Sequence, residues 1–401
     1  MINSARNHPI FAKAQSIGCV VLLSVCEPLW AMSCPSQTVS LGSLAYNYFD
    51  YAPLDDTVNC TSLDAENASW TVSNSLTPNP DFGADCDDGG TLPINAYPIS
   101  IQDNDDVSWN GGIILGEVPL NSPYTPTYCN STALLNRNAD RNSYTGLRMG
   151  GGAWDCVRFG SNSDDFVLSG SWISQCRDDC VENDGLNSGI VEDTLLEGCF
   201  SGFSFDPGNG DPNLGTGEHM QINNVILSMK AYDKRTAPTD PLEPGHQHFT
   251  KAQGNIEITF SITDSVFIAS EIPFTSDSRL STVIANATTC DNNIVLWTGN
   301  GDIPAIYTTL LPASCFDFYA GELAQVVADE LRVNWINCHP DINRFATDPV
   351  SNSSECIPGT QANVAAVLIN AQGVRVSIPS FISIAMLALA GVTYYRRRRS
   401  Q

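Results

Sequence analysis

The residue types best suited to chemistry include five carboxylates. Four lie in one short acidic stretch, Asp178, Asp179, Glu182 and Asp184, and the fifth is Asp155 in an earlier motif. Carboxylate oxygens are the ligands that Ca²⁺ prefers, so one interpretation is a calcium site. The alternative is that these aspartates accept hydrogen bonds from backbone N–H groups at turns, as Asp often does. Both interpretations stay open, because neither an EF-hand nor an RTX spacing accompanies the acids.

Basic residues near these acids suggest a second chemistry. Arg158 and Arg177 are candidate catalytic groups of a polysaccharide-cleaving groove, in which calcium neutralises a uronate carboxylate and a basic side chain removes the α-proton. The alternative is that Arg158 forms a surface ion pair with Glu182, worth a few tenths of a kcal/mol, on the order of what exposed pairs contribute. A second basic group, His246, His248 and Lys251, could bind a metal or act as a base. Its alternative is an exposed loop.

A repeat must position these residues. Trp154–Phe159 (WDCVRF) returns 24 residues later as Asp178–Asn183 (DDCVEN), and in the same register Phe166 returns as Ile190. Short β-rich runs that recur at a fixed period between turn residues are typical of a solenoid with stacked coils. This register puts Asp155 over Asp179. Two stacked carboxylates need a shared proton, hydrogen-bond donors or a cation.

The pattern predicts an all-β chain whose centre is a parallel β-helix over residues 141–345, with a β-sandwich as the structural alternative. Residues 34–140 are rich in turn residues and predict a loop-rich N-terminal cap, although extra coils stay open. Apolar residues at helical spacing in 321–338 predict an amphipathic helix that covers the open end of the solenoid. We expect residues 346–377 to be a spacer between the β-helix and the membrane tail.

Several motifs resemble those of bacterial right-handed parallel β-helix repeat proteins of unassigned function. The motifs are Trp154–Phe159, Cys176–Asp184, Asp193–Ser204 and Asn292–Gly299. The resemblance covers roughly residues 142–340 and implies a right-handed β-helix in an extracellular setting. It carries no established catalytic residues.

Both ends of the chain predict export and anchoring. Residues 1–33 have a weakly positive start, a short apolar core and a small-residue boundary, which is typical of a signal peptide. The uncharged apolar run from Ile378 to Tyr395 is long enough to cross a bilayer. The four arginines that follow would stay on the cytoplasmic side; they are Arg396, Arg397, Arg398 and Arg399. We expect a membrane-anchored or cell-surface protein with a periplasmic or extracellular ectodomain.

The tail of residues 378–401 resembles bacterial sorting tails of the PEP-CTERM and IPTL type. Its short motif is Ile378-Pro379-Ser380, and the Pro-Glu-Pro signature is missing. The resemblance implies a sorting protease as a partner, beside the membrane itself.

Cysteine usage predicts disulfides. The chain has 14 cysteines, and the ones beyond the signal peptide form an even set in an exported protein. The repeat allows Cys156 to pair with Cys180 and Cys176 with Cys199 across adjacent coils. Cys315 and Cys338 bracket the predicted helix and could join. A ladder of free buried thiols is the alternative.

Composition excludes some function classes. The formal net charge of −25 repels nucleic acid, and it suits an extracellular protein or one that collects divalent cations. The sequence has no serine-nucleophile elbow, phosphate loop or dinucleotide fingerprint. Apart from calcium, we therefore expect no cofactor.

Two functions remain. The first is a structural or carbohydrate-binding module of the cell envelope that contacts extracellular polysaccharide. The second is a calcium-dependent polysaccharide lyase or glycoside hydrolase. We expect the first, because basic residues are scarce. The geometry discriminates between them: catalytic groups must converge in a groove, whereas structural aspartates bond the backbone along the coil corners.

Overall fold

A computed structural model of the chain describes residues 37–42, 45–47, 60–72, 98–117, 132–207, 212–232, 248–271, 278–343 and 356. Within these residues no helix is both long enough and apolar enough to cross a bilayer. The predicted signal peptide, the apolar run from Ile378 to Tyr395 and, apart from Cys356, the spacer all lie outside the described residues.

The described strands form three sheets. Sheet A contains β1 (Gln37–Ser40), β3 (Thr61–Asp64), β6 (Ser108–Asn110), β9 (Ser143–Thr145), β12 (Phe166–Ser169), β15 (Gly189–Glu192), β18 (His219–Asn223), β21 (Thr259–Thr263) and β23 (Ala287–Asp291). Sheet B contains β2 (Ala45–Asn47), β4 (Ser69–Val72), β7 (Ile113–Glu117), β10 (Arg148–Gly152), β13 (Trp172–Ser174), β16 (Leu195–Cys199), β19 (Ile226–Met229), β22 (Val266–Ala269), β24 (Asn293–Trp297) and β25 (Phe316–Ala320). Sheet C contains β5 (Ile99–Gln102), β8 (Thr132–Arg137), β11 (Asp155–Phe159), β14 (Asp179–Glu182), β17 (Ser201–Phe205) and β20 (His248–Ala252).

Every pairing in these sheets is parallel, and spatial order follows chain order. A coil runs through a strand of sheet C, then sheet A, then sheet B, before the chain stacks on the next coil. This arrangement is a parallel β-helix, as the repeat predicted. The described part of 34–140 differs from the predicted loop-rich cap, because β1–β8 continue the same three sheets.

Alternate residues of the sheet A strands fill the interior, as the pleat requires. One stack of sheet A side chains runs through eight coils: Leu63, Trp109, Tyr144, Leu168, Val191, Ile222, Ile262 and Cys290. No coil has a core of its own, since each of these residues packs on its counterparts above and below. This is why stacking is needed for stability.

Two-residue corners join sheet A to sheet B, and they explain the recurrent turn residues. The first corner residue has a positive φ in seven coils: Gly111, Gly146, Gly170, Asp193, Asn224, Asp264 and Asn292. Gly, Asn and Asp adopt this conformation more readily than other residues. The second residue ties coils together: Ser171 Oγ accepts a 3.1 Å hydrogen bond from Leu147 N, and Ser265 Oγ accepts one of 3.1 Å from Val225 N.

The predicted register holds in sheet C and is wrong by one residue in sheet A. Arg158 pairs with Glu182, as the 24-residue period requires. Phe166, however, pairs with Gly189 and not with Ile190. The extra residue is Asp165, which sits in a turn with φ of 58°. A slip of one residue exchanges the inner and outer faces of a strand, so Ile190 points outward and not into the core.

The cysteine pairing differs from the prediction. Cys156 bonds Cys176, Cys180 bonds Cys199, Cys290 bonds Cys315 and Cys338 bonds Cys356. The predicted pairs Cys156–Cys180, Cys176–Cys199 and Cys315–Cys338 are therefore wrong. Each of the first two disulfides lies within one coil. It joins a cysteine in the sheet C strand, Cys156 or Cys180, to one at the end of the sheet B part of that coil, with Cα atoms 5.6 Å apart. Of the predicted pairs, Cys176 and Cys199 are still near each other, since the sulfurs of Cys176, Cys180 and Cys199 lie within 4.8 Å of one another.

Four helices are described: α1 (Ser278–Ala285), α2 (Ala305–Leu310), α3 (Glu322–Cys338) and α4 (Pro340–Asn343). Helix α3 matches the predicted amphipathic helix, but it lies along the outer face of sheet B and not over the open end of the solenoid. Its buried face joins an apolar row contributed by five strands of sheet B: Trp172, Leu195, Ile226, Val266 and Ile294. A 17-residue helix is about 25 Å long, which suffices for strands spaced about 4.8 Å apart.

Polar contacts fix the far end of α3 on sheet B. The Arg332 guanidinium lies 2.6 and 3.0 Å from the two carboxylate oxygens of Glu197, and Trp172 Nε1 donates to the same carboxylate at 2.7 Å. Further along, His339 Nε2 lies 3.2 Å from Asp193 Oδ2. The helix thus spans coils from β25 back to β13.

Candidate functional site

The outer face of sheet C brings the predicted acids together. Two rows of residues run across its strands. One contains Thr132, Asp155, Asp179, Ser201 and His248, and the other contains Leu135, Arg158, Glu182, Ser204 and Lys251. The predicted stacking of Asp155 and Asp179 is seen directly, because Asp179 N donates a 3.1 Å hydrogen bond to Asp155 Oδ1.

We call Asp155, Asp178, Asp179, Glu182 and Lys251 the carboxylate cluster. All four acids are buried. Lys251 Nζ lies 2.9 Å from Asp178 Oδ1 and 2.7 Å from Asp179 Oδ2. One carboxylate oxygen from each of Asp155, Asp178 and Asp179 lies within 4.8 Å of the other two. The cluster therefore joins groups from three strands around one point.

Burial and crowding make these acids hold protons more tightly. Burial, with the Asp178 carboxylate second, raises the pKa of Asp155 to about 6. The same two causes raise the pKa of Asp179 well above its usual range, although Lys251 opposes them. Burial and then Asp155 raise the pKa of Glu182. Burial opposes the charge on Lys251, but Asp178 and Asp179 outweigh it, so the pKa of Lys251 is well above its usual value.

Two oxygens of the cluster lack partners. Asp179 Oδ1 and Glu182 Oε2 are buried and have no hydrogen-bond partner in the described part of the chain. Four carboxylates also face two cations, since Glu182 Oε1 pairs with Arg158 Nη2 at 3.4 Å. The cluster can share protons among its carboxyl groups, or its oxygens can hold a cation.

The other predicted site residues lie beside the cluster with different surroundings. Arg158 forms the predicted pair with Glu182, but the Glu182 side chain is only 8% exposed, so this is not a solvated surface pair. Arg177 is buried, with its guanidinium carbon 5.2 Å from the Tyr232 ring centre and 5.9 Å from that of Trp154. Asp184 accepts hydrogen bonds of 2.8 Å from Ser204 Oγ and 2.9 Å from Asp206 N.

His248 and Lys251 do not form the exposed loop that was the alternative for them. Both belong to β20; His248 is buried, and the Lys251 side chain is 11% exposed. His246 lies outside the described residues. The 24-residue repeat does not predict this coil, because a long insertion separates β19 from β20. Ser201 therefore pairs with His248, which is 47 residues later in the sequence.

Sheet A carries a cleft that no motif predicted. This cleft is a cavity of about 190 Å³ on its outer face. It is lined by Asp165, Phe166, Ser188, Gly189, Ile190, His219 and Gln221. Gly189 and the one-residue shift at Asp165 shape the cleft, so it arises where the register was mispredicted. No sequence signal joined Ser188 to His219, since a turn and a strand of different coils supply them.

Hydrogen bonds hold the polar groups of the cleft. Ser188 Oγ donates to Glu218 Oε2 at 2.5 Å and accepts from His219 N at 2.9 Å. His219 Nδ1 lies 2.9 Å from Thr259 Oγ1. Burial, with Glu218 second, raises the pKa of Asp164, which borders the cleft, to about 6. The cleft thus combines an acidic edge and hydrogen-bonded polar groups at Ser188 and His219 with apolar lining from Phe166 and Ile190.

The cleft lies on a long polar surface made by two outward rows of sheet A. The first row is Ser62, Ser108, Ser143, Val167, Ile190, Gln221, Ser261 and Thr289. The second is Asp64, Asn110, Thr145, Ser169, Glu192, Asn223, Thr263 and Asp291. All are exposed or half-buried. Apart from Val167 and Ile190, which interrupt the first row beside the cleft, hydroxyl, amide and carboxylate groups repeat at the strand spacing of about 4.8 Å.

Comparison with models of protein families, with curated proteins and with solved structures finds no match for this chain.

Proposed function

We propose that this chain is an exported, surface-anchored, right-handed parallel β-helix that binds extracellular polysaccharide along the outer face of sheet A. The observation that carries the proposal is the cleft of about 190 Å³ with Ser188, His219 and Gln221 in its lining, set within two rows of mostly polar residues. The predicted leader and membrane tail support a place at the cell envelope.

The chemistry of this surface suits a neutral polysaccharide. Sugar hydroxyls both donate and accept hydrogen bonds, and the repeated Ser, Thr and Asn side chains offer matching groups. A polymer can use several coils at once, because its repeat meets a repeated surface. The acidic edge formed by Asp164, Asp165 and Glu218, together with the net charge of −25, disfavours a uronate-rich polymer.

We expect His219→Ala and Gln221→Ala to weaken binding of a neutral polysaccharide about tenfold each. Either change removes one or two hydrogen bonds, each worth about 1 kcal/mol. Isothermal titration calorimetry of the full chain with a panel of neutral and acidic polysaccharides measures the binding affinity. Gln325→Ala on helix α3 is the control, since Gln325 is exposed on another face. If the cleft variants bind as tightly as the unchanged chain, or if no polymer binds, the proposal fails.

Cleavage of a polysaccharide is a second candidate, favoured by the convergence of Asp155, Asp178 and Asp179. Glycoside hydrolysis needs one carboxyl group as acid and a second as base or nucleophile. A carboxyl group with a pKa of about 6, as Asp155 has, is suited to donate a proton near neutral pH. All three aspartates are buried, which argues against an open catalytic groove that a polymer could enter.

If the cluster cleaves a polymer, new reducing ends will appear with the unchanged chain and fall at least about a hundredfold in Asp155→Asn, as expected for loss of a general acid. Asp329→Asn on the exposed side of α3 is the matched control and should cleave normally. Absence of new ends with every polymer in the panel, from a folded protein, would leave binding alone as the function.

A further inference from the structure

We propose that the carboxylate cluster of sheet C binds one divalent cation of the calcium class, held by Asp155, Asp178 and Asp179 and linking two adjacent coils. This inference is independent of polysaccharide binding, because it concerns another sheet and other residues.

The spacing of the three carboxylates fits one ion. Calcium binds oxygen at about 2.3–2.6 Å, so two ligands on opposite sides of it lie about 5 Å apart. One oxygen from each of Asp155, Asp178 and Asp179 lies within 4.8 Å of the other two. This spacing is compatible with a single ion that contacts all three carboxylates.

Unpartnered oxygens point to a missing ligand. Asp179 is 3% exposed, and its Oδ1 has no hydrogen-bond partner in the described part of the chain; the same is true of Glu182 Oε2. A buried polar atom without a partner is costly, and a carboxylate oxygen more so. Lys251 contacts Asp178 Oδ1 and Asp179 Oδ2, so Asp179 Oδ1 remains for an ion.

The charge balance also calls for a cation. Asp155, Asp178, Asp179 and Glu182 bring four negative charges when ionised, and their partners Lys251 and Arg158 bring two positive ones. One divalent ion would make the group neutral. The donors are all carboxylate oxygens, which favour calcium, magnesium or manganese over zinc or copper. Magnesium keeps several of its waters and demands octahedral geometry, so this buried group favours calcium.

The chain stripped with a chelator and then titrated with CaCl₂ at neutral pH tests the proposal. Equilibrium dialysis should find one calcium per chain, and calcium should raise the Tm more than magnesium does at equal concentration. Asp179→Asn keeps the side-chain shape and removes the charge, so it should weaken calcium binding at least tenfold. Asp302→Asn, an exposed acid elsewhere, should bind as the unchanged chain does.

Two outcomes would overturn the proposal. One is a stripped chain that binds no calcium and whose Tm calcium does not move, which would mean that protons and not an ion balance the cluster. The other is calcium binding that Asp179→Asn and Asp155→Asn both leave unchanged, which would place the ion elsewhere. If Asp179→Asn does not fold, as circular dichroism would show, Asp155→Asn decides the question alone. The calcium titration contains no polysaccharide. A negative result would therefore overturn the calcium site without bearing on the proposed polysaccharide binding.

Discussion

Lys251→Met should lower the free energy of unfolding at neutral pH by about 3–5 kcal/mol, the usual loss when one partner of a buried charge group is removed. Lys251 Nζ bonds Asp178 Oδ1 and Asp179 Oδ2 inside a group in which all four acids are buried. Methionine has a similar length and leaves the carboxylates without their nearest cation. Urea denaturation, followed by circular dichroism, measures the loss.

Lys230→Met is the matched control for this substitution. Lys230 is exposed, and its ammonium lies 5.5 Å from the Tyr232 ring centre, so only a small part of the loss should appear. The loss in Lys251→Met should also shrink at about pH 5, because carboxyl groups without a cation then take up protons. Equal effects of the two variants would show that Lys251 does not balance the cluster.

The repeat made the β-helix and part of the cluster predictable. Corner residues such as Gly170 and Asp193 recur because the corner needs a positive φ, and this periodic need leaves a visible pattern. The 24-residue spacing of the Trp154 and Asp178 motifs then stacks Asp155 on Asp179. A backbone conformation that few residue types adopt can therefore be predicted from the sequence.

Features that depend on a variable number of residues were not predictable. The turn at Asp165 holds one extra residue, so the 24-residue repeat predicts the wrong register in sheet A. For the same reason it does not predict the cleft that Ile190 lines. The insertion before β20 separates Ser201 from His248, so the sequence repeat does not connect Lys251 with the acids. A cluster assembled from stacked coils is visible in sequence only when every coil has the same length.

The helix shows the same limit in another form. The spacing of Leu331 and Trp335 predicts an amphipathic helix, and α3 is that helix. Where it packs depends on the outer face of sheet B, which is apolar because Leu195, Ile226 and Val266 point outward there. In a strand buried on both faces, apolar residues do not alternate. The pattern alone therefore could not tell a covered sheet face from a covered end.

The cluster should also make the chain less stable as pH rises, in the absence of calcium. Burial raises the folded-state pKa of Asp155 to about 6, against an ordinary value of 3.8 for an exposed Asp. The folded state therefore holds this proton when the unfolded chain has lost it. The stability from the proton is fully present below about pH 4 and is lost as pH rises through about 6, a change on the order of 3 kcal/mol. The raised pKa values of Asp179 and Glu182 extend the loss to higher pH.

Urea midpoints between about pH 5 and about pH 8, measured with chelator, test this dependence. The unchanged chain should lose stability across the range relative to Asp155→Asn, which has no proton to release at that position. Stability that rises with pH as steeply in the unchanged chain as in the variant would contradict the prediction. Saturating calcium should flatten the dependence, because an ion held by the ionised carboxylates replaces the protons that otherwise balance them.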